Sequence, residues 1–237
     1  RPRIPAEPEC GVSKPRRSKV VHFISGSSLK IFKMKGIPYD KPLCFTSHMS
    51  QQQFHRFMMK NSELRMERDK HGNITIHPGL SLYDSFLEGK ATSILSNWAK
   101  DEKIGLSLGS SMHYVLPDGS EVKADGSWLS VEKVNQLTEK EIRRITPIIP
   151  DFVLETRSVS DSIEKLKIKM SEVWIANGVR LAWLLDPMKE QAWIYREDGS
   201  VEEIQGFDQQ VLSGENVLPG FELNLKVLKS RPFKPMS

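Results

Sequence analysis

Long apolar runs are missing from this sequence. No stretch approaches the roughly 20 residues needed to cross a bilayer, which excludes a helical membrane protein. The basic N-terminal stretch is followed by no apolar segment, so it does not read as a secretory signal, and a cytoplasmic location is expected. Cysteine is scarce: Cys10 and Cys44 fit no metal spacing and read as reduced thiols rather than a disulfide framework. None of the six histidines pairs with another at helical ligand spacing, so no zinc site is expected. An excess of charge is also missing from most of the chain. The formal +4 comes from residues 1–20, where Arg1, Arg3, Lys14, Arg16, Arg17 and Lys19 face Glu7 and Glu9. The remaining 28 basic and 28 acidic residues cancel, so any phosphate contact by the body must come from a local patch.

What is present is an ordinary globular chain. With 237 residues, 38% hydrophobic and 27% charged, it suits one decorated domain better than two. Residues 1–40, with Pro2, Pro5, Pro8 and Pro15 among scattered charges, read as a loose basic extension with one strand at Val20–Ile24. Residues 41–230 form the domain and 231–237 a tail. Ser47 or Ser50 caps a short helix with Phe54, Phe57 and Met58 on one face. A hairpin turns at His71-Gly72-Asn73, and a helix follows from about Ser81 to Ala99 with Leu82, Phe86, Ile94 and Trp98 inward. Two strands, Gly105–Val115 and Glu121–Leu129, flank the turn Pro117-Asp118-Gly119. A capping box at Thr138–Glu141, a buried strand Phe152–Thr156, a helix from Ser160 to Ala176 stopped at Asn177-Gly178, and a strand Leu181–Leu185 complete the middle. A further hairpin turns at Asp198-Gly199. The order helix, strand, strand, strand, helix, strand predicts an α/β protein: a mixed central sheet flanked by helices, with added N-terminal and C-terminal hairpins.

The chemistry centres on the strand Phe152–Thr156. Its period of two puts Asp151, Val153, Glu155 and Arg157 on one face. An acid inside so apolar a strand needs a cation beside it, either Arg157 or a metal shared with a second carboxylate. Asp125, on the strand before, offers that second carboxylate, since hard divalent cations take oxygen ligands. On the long helix, Ile163, Leu166, Met170, Val173 and Trp174 form an apolar face. Lys167 and Lys169 lie on its opposite borders, where either can overhang the sheet or simply snorkel.

The stretches LPDGSEVKADGSW, PDFVLETRSVSDSIEKLKIKM, NGVRLAWLLDP and LSGENVLPGFEL resemble the Uma-type endonucleases, a bacterial branch of the PD-(D/E)XK superfamily with the restriction-endonuclease-like fold. The similarity runs from about Met49 to Leu228. It implies a site in which Asp125 and Glu155 bind Mg²⁺ or Mn²⁺ and a lysine completes the triad. The superfamily's usual lysine lies two residues after the acid, where this chain has Arg157; in this branch it sits on the following helix, matching Lys169. A further acid often joins from the preceding elements, and Glu67 and Glu88 are the candidates. Two departures stand out: Ala124 replaces the usual proline before the aspartate, and the Met170–Gly178 interval is one residue longer than the pattern. The resemblance implies a metal-dependent endonuclease (a phosphodiesterase) acting on DNA, with a homodimer as an open alternative to a monomer. A catalytically inactive nucleic-acid-binding or scaffold protein on the same fold is the alternative function. A metal-independent carboxylate hydrolase of sugars would leave the lysine unexplained.

Overall fold

Apolar periodicity switches repeatedly between helical and extended along the chain, and the computed structural model, which describes residues 41–47 and 49–229, follows those switches. The N-terminal extension with its strand at Val20–Ile24 and the tail 231–237 lie outside the described residues. The chain runs β1 (Leu43–Thr46), α1 (Gln51–Lys60), β2 (Arg65–Arg68), β3 (Asn73–His77) and α2 (Leu82–Glu102). It continues through β4 (Gly105–Gly109), β5 (Tyr114–Val115), β6 (Glu121–Val122), β7 (Gly126–Ser130), α3 (Val131–Val134), α4 (Glu139–Ile142) and β8 (Phe152–Thr156). Then come α5 (Ile163–Ile168), β9 (Leu181–Asp186), β10 (Gln191–Arg196), β11 (Val201–Gln205), β12 (Val211–Ser213) and β13 (Glu222–Asn224).

The larger sheet has the order β11-β10-β9-β8-β7-β4. It is mixed, because β8 and β9 run parallel across the helical crossover while its other pairs are antiparallel. Its core order α2, β4, β7, β8, α5, β9 is the restriction-endonuclease-like layout. Alternation along β8 and β9 divides the interior. Phe152, Leu154, Leu181, Trp183 and Leu185 face α2 and the C-terminal β12–β13 hairpin. Val153, Ala182 and Leu184 face Met170 and Trp174 on the crossover, together with Tyr114, Val122 and Ala124. A smaller sheet, β1-β3-β2-β6-β5, carries α1, whose Phe54 packs on Met66, Ile74 and Ile76. Ser50 opens α1 in a capping box with Gln53.

Three expectations need correction. The face of α2 that meets the sheet is Leu87, Ala91, Leu95 and Ala99, while Leu82 is 72% exposed and Phe86, Ile94 and Trp98 lie along its flank. The helix comes close to the sheet there: a Cβ on Gly126 would lie 2.9 Å from the Thr92 side chain. The bulky Trp98 instead packs on Phe221, ring centroids 5.2 Å apart. The two long strands around Pro117-Asp118-Gly119 are four short ones. β5 and β6 pair in the small sheet while β4 and β7 pair in the large one, so the chain changes sheets at Lys123-Ala124-Asp125. The crossover helix starts at Ile163, with Ser162 as its cap, and is not α-helical throughout. Lys169–Trp174 form a π-helical turn and Ile175–Asn177 a 3₁₀ turn before Gly178 stops the helix at φ 99°.

Candidate active site

The change of sheet at Lys123–Asp125 brings three elements to one place. β2 presents Glu67 and Arg65 from one face by its period of two. Asp125 follows the change of sheet, and Glu155 comes from β8. Asp125 is fixed by the Thr156 backbone N–H, which donates to Oδ2 at 2.8 Å, and by Arg65 Nη2, which donates to Oδ1 at 2.9 Å. Glu155 is buried, and its Oε1 accepts from Trp174 Nε1 at 3.0 Å and pairs with Lys169 Nζ at 2.8 Å. Lys169 also reaches Glu67 Oε1 at 3.0 Å and the Lys123 carbonyl at 2.9 Å. Its ammonium thus bridges two carboxylates with all three protons directed. Glu67 Oε1 accepts further from the Lys123 N–H at 3.1 Å, and His77 Nε2 stands 3.4 Å from Oε2.

The electrostatics are those of crowded acids in a dry place. Burial raises the pKa of Glu155; Lys169 pulls against it, Asp125 and Glu67 add to it, and the result is about 7. Glu88 on α2 is also pushed up to about 7, by burial and by the Asp125 charge. Burial would raise Glu67 too, but Lys169, His77 and Arg65 outweigh it and hold the carboxyl well below the ordinary range. For Lys169, desolvation works against the charge, yet Glu155 and Glu67 hold the ammonium firmly protonated. Arg65 is desolvated as well and is kept charged by Asp125, Glu155 and Glu67. Four carboxyl groups therefore crowd two permanent cations, and the shortage of positive charge shows in the raised values of Glu155 and Glu88.

Of the residues singled out in the sequence, the structure brings Asp125, Glu155, Lys169 and Glu67 together, with Glu88 close enough to feel Asp125. Arg157 is not brought in: its Nη1 donates to Asp186 Oδ2 at 2.6 Å and its Nε to the Asp161 carbonyl, because β8 ends at Thr156 and the strand alternation ends with it. Lys167 is also elsewhere, its Nζ 4.1 Å from the centroid of Trp193. Arg65, His77 and Trp174 went unremarked as site residues. Arg65 shares the Glu67 face and could have been found by counting in twos. His77 lies opposite Arg65 in the β2–β3 register, which only the pairing reveals.

A family model, Uma2, described as "Putative restriction endonuclease", matches residues 51–226. The chain belongs to the Uma2 family. The match covers the large sheet, the small sheet except β1, α2 and the crossover helix of this Uma2 protein, and so every residue of the cluster. Among solved structures it resembles the crystal structure of a "putative nuclease belonging to DUF820" from Anabaena variabilis ATCC 29413, with 20% identity and a TM-score of 0.61 over 69% of this chain and 89% of that one. That likeness shows the fold. A DrdV–DNA complex matches at 15% identity and a TM-score of 0.37, over 65% of this chain and 12% of that one, and carries no argument. No curated protein matches the chain. Among the described residues no helix is long and apolar enough to cross a membrane.

Proposed function

We propose that this Uma2 protein is a divalent-metal-dependent endonuclease that hydrolyses DNA phosphodiester bonds, with residues 41–230 as its nuclease domain. The observation that carries the reading is the Lys169 ammonium held 2.8 Å from Glu155 and 3.0 Å from Glu67, beside Asp125. The donor set fits Mg²⁺ or Mn²⁺: it is made of carboxylate oxygens, and its deficit of positive charge is what a hard dication relieves. Asp125 and Glu155 would hold the ion, with Glu67 or Glu88 as a further oxygen donor. Such an ion lowers the pKa of a bound water and neutralises charge on the phosphate.

The remaining work falls to the chain itself. The Thr156 N–H and the Trp174 indole fix the two carboxylates, so little reorganisation is needed when substrate arrives. Lys169, aimed by Glu67 and the Lys123 carbonyl, orients the attacking water and faces the negative charge that builds on the phosphate. Its buried charge acts there with little screening. Among the described residues Arg65 holds Asp125 through Nη2, and its buried Nε has no hydrogen-bond partner. Its remaining donors suit a phosphate oxygen of the substrate. DNA as the substrate is supported by the family description and by the two cations, Lys169 and Arg65, beside the carboxylates. The test is nicking of supercoiled plasmid with Mg²⁺ or Mn²⁺. Wild type should cut and Glu155→Gln should not; metal-independent cutting would overturn the metal dependence, and binding without cutting by both would remove the enzyme reading in favour of a binding protein.

A further inference from the structure

A second constellation lies on the other face of the small sheet. Met66, next to Glu67 on β2, packs with Phe54 of α1, and Val122, next to Glu121 on β6, packs with Trp174. Alternation therefore turns Glu121 away from the crossover helix and toward α1. There it meets two histidines that are far apart in sequence, His55 on α1 and His113 just before β5. His55 Nε2 is 2.5 Å and His113 Nε2 3.0 Å from the same oxygen, Glu121 Oε2. One ligand atom from each residue lies within 4.8 Å of the others. The two imidazoles are nearly perpendicular, interplanar angle 82°, and approach the carboxylate from different directions rather than stacking.

The surroundings do not complete this group by hydrogen bonding. Glu121 is fully buried, and its Oε1 has no hydrogen-bond partner among the described residues. His55 Nε2, though close to Oε2, lacks the alignment of a hydrogen bond and has no other partner among them. Arg68 stands opposite Glu121 in the β2–β6 pairing, but its guanidinium donates to the Gly119 carbonyl, and no ion pair joins it to Glu121. A buried carboxylate facing two ring nitrogens, with polar atoms left over, is what a cation-binding site requires.

We propose that His55, His113 and Glu121 form a metal site for Zn²⁺ that ties α1 to the β5–β6 hairpin, separate from the cluster around Glu155. Two imidazole nitrogens and one carboxylate oxygen are a borderline donor set that selects zinc-class ions over Mg²⁺. Three protein ligands leave a fourth position for water. Ligand atoms around a tetrahedral zinc, at about 2.0–2.1 Å from it, sit roughly 3.3 Å apart. The His113–Glu121 separation of 3.0 Å therefore widens by about 0.3 Å and the His55–Glu121 separation of 2.5 Å by about 0.8 Å, the latter within reach of a partly exposed side chain. The His55 side chain is 28% exposed, which gives the ion an entry path.

The test uses the full chain, stripped with a chelator and titrated with Zn²⁺ against a chromophoric competitor. Wild type and Glu155→Gln should each bind one zinc per chain tightly, because the second site does not involve the nuclease cluster. His55→Gln and His113→Gln should weaken that binding roughly 100-fold or more, exceeding the usual loss from removing a ligand's supporting partner. Zinc should raise the melting temperature of wild type and not of His55→Gln. Circular dichroism establishes folding, and the partly exposed position of His55 keeps that variant informative if His113→Gln fails to fold. Zinc binding that survives in His55→Gln, is lost in Glu155→Gln, or is absent from wild type would overturn the assignment.

Discussion

Replacing Glu155 by glutamine should inactivate the protein and at the same time make it more stable. The side chain is fully buried and its carboxyl titrates near 7, against an ordinary glutamate value of 4.5. That difference corresponds to roughly 3 kcal/mol, at about 1.4 kcal/mol for each pH unit. Between the two values the native state holds a proton that the unfolded chain has released. Stability therefore falls as pH rises from about 4.5 to about 7 and stays reduced above that. The substituted amide is neutral throughout and can still accept from Trp174 and Lys169, so it avoids the cost. We expect Glu155→Gln to exceed wild type by about 3 kcal/mol at about pH 8 in metal-free buffer, with the gain vanishing near pH 4. For a chain of this size that is a rise in Tm of roughly 6–12 °C. Urea and thermal unfolding across this pH range measure it directly. A variant that is less stable than wild type at pH 8 would show that the Lys169 attraction outweighs burial, and would refute the reasoning.

Lys169→Ala should reduce plasmid cleavage by about 100- to 1,000-fold, the usual loss for one directed electrostatic group. Lys167→Ala should leave cleavage unchanged and cost only about 0.5–1 kcal/mol of stability, from its contact with Trp193. Arg157→Ala leaves Asp186 buried without its guanidinium partner and should destabilise by about 3 kcal/mol in urea unfolding, with cleavage per folded molecule unchanged; loss of cleavage without loss of stability would return Arg157 to the site. Gly105→Ala should cost about 1–3 kcal/mol by the same measurement, since the new Cβ would lie 2.3 Å from the Leu129 carbonyl oxygen and 2.5 Å from the Trp128 ring, and neither backbone nor ring can yield easily.

The fold was legible wherever one periodicity ran uninterrupted. β8 and β9 keep their alternation from end to end, and the two faces counted from Phe152 to Thr156 are the two interior layers. The reading was less exact where a helix turned a neighbouring stripe to the sheet, as on α2, and where one stretch was divided between two sheets, as at Lys123–Asp125. The pairing of Lys169 with Glu155 was marked by position at the border of an apolar face, yet its choice over Lys167 depended on a turn that residue spacing does not announce. The His55–His113–Glu121 group was invisible for a different reason. Ligand spacing along a helix or hairpin is a local signal, whereas these residues are assembled by the docking of α1 on β6. The expectation of no zinc-type cluster, drawn from histidine spacing alone, missed them.

The π-helical turn has an angular consequence. On an α-helix, residues five apart point about 140° away from each other, so Lys169 and Trp174 could not both address one atom. In a turn closed by i→i+5 bonds the fifth residue comes round above the first, and both side chains meet at Glu155 Oε1. Deleting Ser171, between them, would let the helix relax to the ordinary pitch and would separate the ammonium from the indole, although every residue of the charge cluster would remain. The π-helical turn therefore works as a phase shift in the helix: it sets which way the Lys169 ammonium points relative to the Trp174 indole.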